Sequence, residues 1–294
     1  MVMPSYRCRI HVAQTPSMAF QCGLLRLLLA AMLTMLLSSC GNQQARVDTH
    51  ETLNAALWTQ TSAEYAATTL QAYQLAASNL DRALADTQWT AALEQGGDYT
   101  DLPPAIMLDL DQTVLDTSSY NARIILEYGS HAREHFSAWC EGSTAPAIPG
   151  AKEFIDHAVA RGVTVIYISA RREHLRDCTT VNLRALGLPL PGQERLLLND
   201  GTPSSSKTQQ RVDIASQYRI LLLVGDNLND FVSGSKTDPA ARRALVDEHA
   251  ARWGREWIIL SNPMYGNWEA SLYEYDYSLP RDERLNHLLQ QLQQ

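Results

Sequence analysis

Asp109 and Asp111 stand two residues apart at the end of a short apolar run, Ile106-Met107-Leu108-Asp109-Leu110-Asp111. A buried strand finishes in two carboxylates only where something offsets their charge, because an unpaired buried carboxylate is costly. In a parallel α/β sheet the carboxyl ends of strands open onto a ligand crevice. There a D-x-D pair can hold a divalent cation, with one acid free to attack and the other to move protons. Taken alone, the pair reads more simply as a polar strand-to-loop turn with a capping Asp.

Four later positions change that reading. Ser169 ends the apolar run VTVIYI with a hydroxyl that can hydrogen-bond a phosphate oxygen. Lys207 offers a fixed positive charge for a trigonal phosphoryl transition state, where electrostatic stabilisation is usually the largest effect. Asp226 and Asp230 follow the run RILLLV and add carboxylate oxygens, the ligands magnesium prefers. With them, Asp109 can attack phosphorus and form an aspartyl-phosphate. Asp111 can give a proton to the leaving oxygen and later take one from water. Each position singly has a plainer role: Ser169 and Asp226 as turn residues, Asp230 as a helix cap, Lys207 as a solvated surface lysine. In this order, at successive strand ends, they make one phosphoryl-transfer site.

The elements that must position them are legible as pattern. From about Thr49 to Glu94 an Ala/Leu/Gln-rich stretch without Pro or Gly carries Leu53, Leu57, Tyr65, Leu70, Tyr73, Leu75, Leu80 and Leu84 at helical spacing, which predicts two amphipathic helices. Gly96-Gly97 ends them. Strands are predicted at about 105–109, 163–168, 195–198, 219–224 and 257–260, with helices near 152–161 and 173–186 and after Lys207. Strands alternating with helices give a parallel α/β sheet. Between Asp116 and Pro149-Gly150 the pattern is irregular and carries Tyr120, Tyr128, Phe136 and Trp139. An insertion of that size directly after the first strand reads as a cap over the strand ends.

The N-terminus differs from the rest. Leu27 to Leu37 (LLLAAMLTMLL) is an apolar run of signal-peptide length, preceded by Arg26 and too short to span a bilayer. It leads into Leu37-Ser38-Ser39-Cys40, which resembles a bacterial lipobox. Residues 1–39 then form a lipoprotein signal peptide, Cys40 the lipidated residue, 40–48 a tether, and 49–294 one domain with a cap at about 117–149. Met18 is the more typical start. Processing removes Arg7, Arg9 and Arg26 and no acids, so the 24 basic residues of the 294-residue chain fall to 21 against 32 acidic ones, a net of −11. That balance argues against nucleic-acid binding, which needs a basic surface. An anionic substrate must be drawn in by local cations. Cys140 and Cys178 remain in the body; an exported location permits a disulfide between them without requiring one.

The order D-x-D-x-T, Ser, Lys, G-D-x-x-x-D resembles the haloacid dehalogenase superfamily. The longer segments Ile106–Tyr120 (IMLDLDQTVLDTSSY) and Leu222–Phe231 (LLVGDNLNDF) are similar to the paired signatures of the class C acid phosphatases, bacterial lipoprotein nonspecific acid phosphatases and 5′-nucleotidases. Leu53–Tyr65, Ile148–Phe154 and Asn262–Glu269 resemble further segments of that family. The resemblance implies a Rossmann-like parallel sheet of haloacid dehalogenase type, with N-terminal helices and a cap insertion after the first strand. It implies Asp109 as nucleophile and Asp111 as acid/base. Magnesium would be held by Asp109, the Asp111 main-chain carbonyl and Asp226, with Asp230 supporting through water, and phosphate by Ser169 and Lys207. Gln112 stands where the family usually has Glu, and Ala170 departs from its usual Ser-Asn-Arg.

The expected activity is a magnesium-dependent acid phosphatase acting on small phosphomonoesters, among them nucleoside 5′-monophosphates, with the base stacked on aromatic rings. Trp139 and Tyr265 are the first candidates for that stacking, with Tyr128 and Phe136 behind them. The alternatives are a phosphatase for sugar or lipid phosphates, and a surface lipoprotein that binds a ligand such as haem without catalysis. A membrane-anchored place in the bacterial cell envelope follows from Cys40, and Gly41 after it favours the outer membrane. A homodimer is compatible with all of this.

Overall fold

In the computed structural model, residues 50–142, 145–189, 192 and 195–293 are described. The signal-peptide segment, the tether, Cys40 and the side chain of Tyr128 lie outside them. Two helices come first. Helix α1 is Leu53–Thr61 and α2 is Ala63–Ala85. Ser62 ends one and starts the other, its Oγ accepting the Tyr65 amide at 3.0 Å, a side-chain cap for an otherwise orphaned donor. Tyr65, Thr69, Tyr73, Ala76, Leu80 and Ala83 are buried along α2; steps of three and four place them in one stripe.

Five strands follow: β1 Pro104–Leu108, β2 Thr164–Arg172, β3 Leu196–Asn199, β4 Arg219–Gly225 and β5 Trp257–Ile259. They form one parallel sheet in the order β3-β2-β1-β4-β5. All seven residues of β4 are buried, as a central strand covered by packing on both faces requires. One core holds Ile106, Leu108, Tyr167 and Leu222 with α2; the other holds Met107, Ile166, Leu223, Phe231 and Trp257. The strand order reverses between β1 and β4, the place where ligands bind in open α/β sheets. Leu108 pairs with Tyr167 on one side and Val224 on the other. Asp109, Ser169 and Asp226 therefore step off the same edge.

The segment after β1 is helical where the pattern looked irregular. Helix α3 is Ser118–Arg123, a π turn covers Ile124–Tyr128, and α4 is Arg133–Gly142. The π turn and Gly129, at φ 70, break the 3.6-residue period, which conceals the helices from a periodicity reading. The insertion's ends are tied together by Asp116 N donating to Pro146 O at 2.8 Å and Ile148 N to Val114 O at 3.0 Å. Helices α5 Ala151–Ala160, α6 Arg176–Ala185 and α7 Lys207–Ala215 cross between strands.

Cys140 of α4 and Cys178 of α6 form a disulfide with Cα atoms 5.8 Å apart. Later come α8 Pro239–Glu248, α9 Asn267–Ala270 and α10 Arg281–Gln290. Neither α8 nor α10 buries a residue, so neither carries an apolar stripe strong enough to predict it. Among the described residues no helix is long and apolar enough to cross a membrane.

Candidate active site

The Asp109 amide still donates to Val224 O at 2.9 Å, so the sheet's ladder fixes this residue while its side chain leaves the strand end, only 7% exposed. Lys207, the first residue of α7, approaches from the opposite side. Its Nζ lies 2.5 Å from Asp109 Oδ1 and 2.5 Å from Asp230 Oδ1. Asp230 closes the 3-10 turn Leu228–Asp230 through reciprocal caps: its Oδ2 accepts the Asn227 amide at 2.9 Å, and Asn227 Oδ1 accepts the Asn229 amide at 3.3 Å. Gly225 permits this approach, since a Cβ there would stand 2.6 Å from Asp230 Cβ and Cγ. Asp226 is held by Asn262, whose Nδ2 donates to Oδ2 at 2.7 Å.

Carboxylate oxygens of Asp109, Asp226 and Asp230 lie within 4.8 Å of one another. Burial pushes Asp109 up to about 7; Lys207 opposes the rise, and Asp230 and Asp111 add to it. Asp226 is raised well above the usual carboxylate range by burial, then by Asp109 and Asp230. Three acids against one lysine leave two negative charges uncompensated when all are ionised. An all-oxygen donor set with that charge fits a hard divalent cation.

Asp111 is paired with Arg171. Its Oδ1 and Oδ2 accept from Arg171 Nε at 3.1 and 3.0 Å, and Oδ1 also accepts from Nη2 at 2.7 Å. The Asp111 carboxylate is thus outside the three-acid cluster. Ser169 is buried on β2, its Oγ accepting the Arg171 amide at 3.1 Å. The turn that follows the two acids is tight. Gln112 takes φ 56, a left-handed backbone rare for residues with a side chain, and its Oε1 accepts the Thr117 amide at 2.7 Å. Tyr73 of α2 donates to Thr113 O at 2.6 Å and fixes the same turn from below.

A family model described as HAD superfamily, subfamily IIIB (Acid phosphatase) matches residues 26–268. The chain belongs to this acid phosphatase family. The class C acid phosphatase from Bacillus anthracis is similar at 33% identity with a TM-score of 0.74, over 83% of this chain and 98% of that one. A second structure of that protein, with tungstate bound, matches at 32% identity and 0.74, over 84% and 99%. The sheet, its surrounding helices and the family match agree: this is an α/β phosphoric monoester hydrolase.

Around the phosphatase site, the aromatic side chains divide into two kinds. Trp139 is 1% exposed, donates through Nε1 to Ser119 Oγ at 3.2 Å and packs against Tyr120 and Phe136 at centroid distances of 5.7 and 5.3 Å. It presents no open face in this arrangement. Phe136 is half-buried on the same helix. Tyr265 is half-buried at the site, its hydroxyl 3.2 Å from Thr117 Oγ1, and burial, then Asp226 and Asp111, push its phenol well up.

Three contributors were not singled out from the sequence. Arg171 holds Asp111, and Asn262 holds Asp226. Arg211, 1% exposed, donates to Glu94 Oε1 and to Asn229 O, both at 2.9 Å. A buried-strand pattern continuing through Ala170 into Arg171 was the available signal for the first. Arg211 is the lysine's neighbour one helical turn on.

Proposed function

We propose that this acid phosphatase hydrolyses nucleoside 5′-monophosphates with magnesium, through an aspartyl-phosphate on Asp109. The observation that carries the reading is the Asp109 carboxylate gripped by Lys207 beside Asp226 and Asp230. Asp109 Oδ attacks phosphorus as the bond to the ester oxygen breaks, and Asp111 gives that oxygen its proton. Asp111 then takes a proton from water, whose oxygen attacks the same phosphorus, frees inorganic phosphate and regenerates Asp109. Lys207 and the Ser169 hydroxyl hold the phosphoryl oxygens while charge spreads over them.

Asp109, Asp226, Asp230 and the Asp111 main-chain carbonyl are the groups that would hold magnesium. When bound, the ion offsets the repulsion between the Asp109 carboxylate and a phosphate dianion. The nucleophile must be ionised, and burial raises its pKa, so Asp109 would need the positive charge of Lys207 and of a held cation to react at acidic pH. Tyr265 and the half-buried Phe136 are the rings available to a base, and a π face suits any base. Cys40 would anchor the enzyme in the envelope; palmitate labelling of the wild type and of Cys40→Ser tests that separately.

The deciding experiment is phosphate release from adenosine monophosphate, nicotinamide mononucleotide and p-nitrophenyl phosphate by wild type and Asp109→Asn, with magnesium and with EDTA, across pH 5 to 8. Loss with either the substitution or the chelator supports the site. A phosphoenzyme trapped by acid quench in the wild type only supports the intermediate. Equal or better turnover of sugar phosphates would favour a non-nucleotide substrate. Full activity of Asp109→Asn would refute the reading.

A further inference from the structure

Arg171 is 3% exposed and uses its whole guanidinium. Nε and Nη2 reach the Asp111 carboxylate, Nη1 donates to Thr179 Oγ1 at 3.0 Å and lies 3.7 Å from Cys140 Sγ. Its central carbon stands 5.4 Å from the Phe136 ring centroid and 6.0 Å from that of Trp139. The planar fork is therefore gripped by α4 (Phe136, Trp139, Cys140) and by α6 (Thr179), with Asp111 at the open end. The Cys140–Cys178 disulfide joins those same two helices one residue from Thr179. A guanidinium held on an aromatic face and by directed hydrogen bonds presents a fixed geometry, which a flexible ammonium does not.

We propose that Arg171 is a positioning residue that sets the orientation of the Asp111 carboxylate, and that the Cys140–Cys178 disulfide maintains the cage that aims it. The proposal rests on the reading of Asp111 as proton donor. Misplacing a catalytic group by about 1 Å can cost on the order of 100-fold in rate. The loss must then depend on how much the leaving group needs a proton: p-nitrophenolate needs little, phenolate more, a nucleoside alkoxide most. A cage that merely stabilised the fold would slow all three alike.

The test measures formation of the phosphoenzyme in acid-quenched single turnovers, because later hydrolysis is common to every substrate. Magnesium-loaded wild type, R171M, R171K, D111A, D111A/R171M and C140S/C178S are compared on p-nitrophenyl phosphate, phenyl phosphate and adenosine monophosphate, with a thermal melt of each. R171M should lose about 10- to 100-fold on adenosine monophosphate and little on p-nitrophenyl phosphate, less than the roughly 10²- to 10⁴-fold that a general acid contributes, because the acid is misplaced and not removed. R171K, which keeps the charge and so guards against misfolding, should show the same bias. D111A/R171M should match D111A, since both changes act through one group. C140S/C178S should show the bias at smaller size. Equal losses on all three substrates, or losses that add to those of D111A, would overturn the positioning role. Wild-type rates in C140S/C178S would overturn the part assigned to the disulfide. Absence of leaving-group bias in D111A itself would instead overturn the reading of Asp111 on which the proposal rests.

Discussion

Lys207 Nζ lies 2.5 Å from Asp109 Oδ1 across 98 residues of sequence. The pair is buried, and the same ammonium reaches Asp230, so one cation stands against three carboxylates. Lys207→Met removes the cation paired with Asp109 and Asp230 in metal-free buffer. Removing one partner of a buried pair costs about 3–5 kcal/mol; we expect a fall of that order in EDTA, read by chemical denaturation, and partial recovery with magnesium. The turnover number should fall about 10²- to 10³-fold, as when one transition-state donor is lost. A Lys207→Met enzyme with unchanged turnover would remove the lysine from the chemistry.

Asp109 has a folded pKa of about 7 against an ordinary 3.8. The folded protein thus binds a proton that the unfolded chain releases between those values. For a group raised in this way, the contribution to stability is fully present below about 3.8 and is lost as pH rises through about 7. In EDTA, melting temperature should therefore fall between pH 5 and pH 7.5, apart from the general titration of the surface. Saturating magnesium, bound by the ionised form, should flatten that slope or reverse it. Identical slopes with and without magnesium would contradict a metal held by Asp109.

Gly225→Ala places a Cβ against Asp230 Cβ and Cγ. Overpacking of this kind costs about 1–3 kcal/mol, and here the side chain that must move is a candidate metal ligand. The expected outcome is a raised magnesium requirement, read as activity against magnesium concentration, together with a lower melting temperature. A variant with the wild-type magnesium requirement would separate Asp230 from the metal.

Trp139 and Tyr265 should respond differently. Trp139→Ala empties a fully buried site and should cost about 3–5 kcal/mol in stability, while the ratio of nucleotide to p-nitrophenyl phosphate turnover stays unchanged. Tyr265→Ala should raise KM for adenosine monophosphate by an amount worth about 1–3 kcal/mol, the usual value of one base–aromatic stack, with little effect on p-nitrophenyl phosphate. Equal shifts in both KM values for Tyr265→Ala would argue against stacking there.

The strand ends were readable because a buried parallel strand is a run of apolar residues, and each run here stops at a polar group: Asp109, Ser169, Asp226. The apolar run of strand β2 stops at Ile168, but the strand continues to Arg172. Polarity conceals that extension, since Arg171 is buried only because Asp111 pairs with it. The helices of the insertion after β1 are hidden by a π turn and a left-handed glycine, and α8 and α10 by their lack of a buried residue.

By itself the sequence determined the α/β alternation, the strand ends and the chemical types gathered there, because those depend on local pattern and on the cost of burying charge. Tertiary structure alone decided which side chains share an oxygen-lined cluster, that Asp111 turns toward Arg171, that Cys140 meets Cys178, and that Trp139 is enclosed while Tyr265 borders the site. These are relations between residues far apart in the chain. Their energies come from burial and from distances of a few ångströms, which spacing along a sequence does not encode.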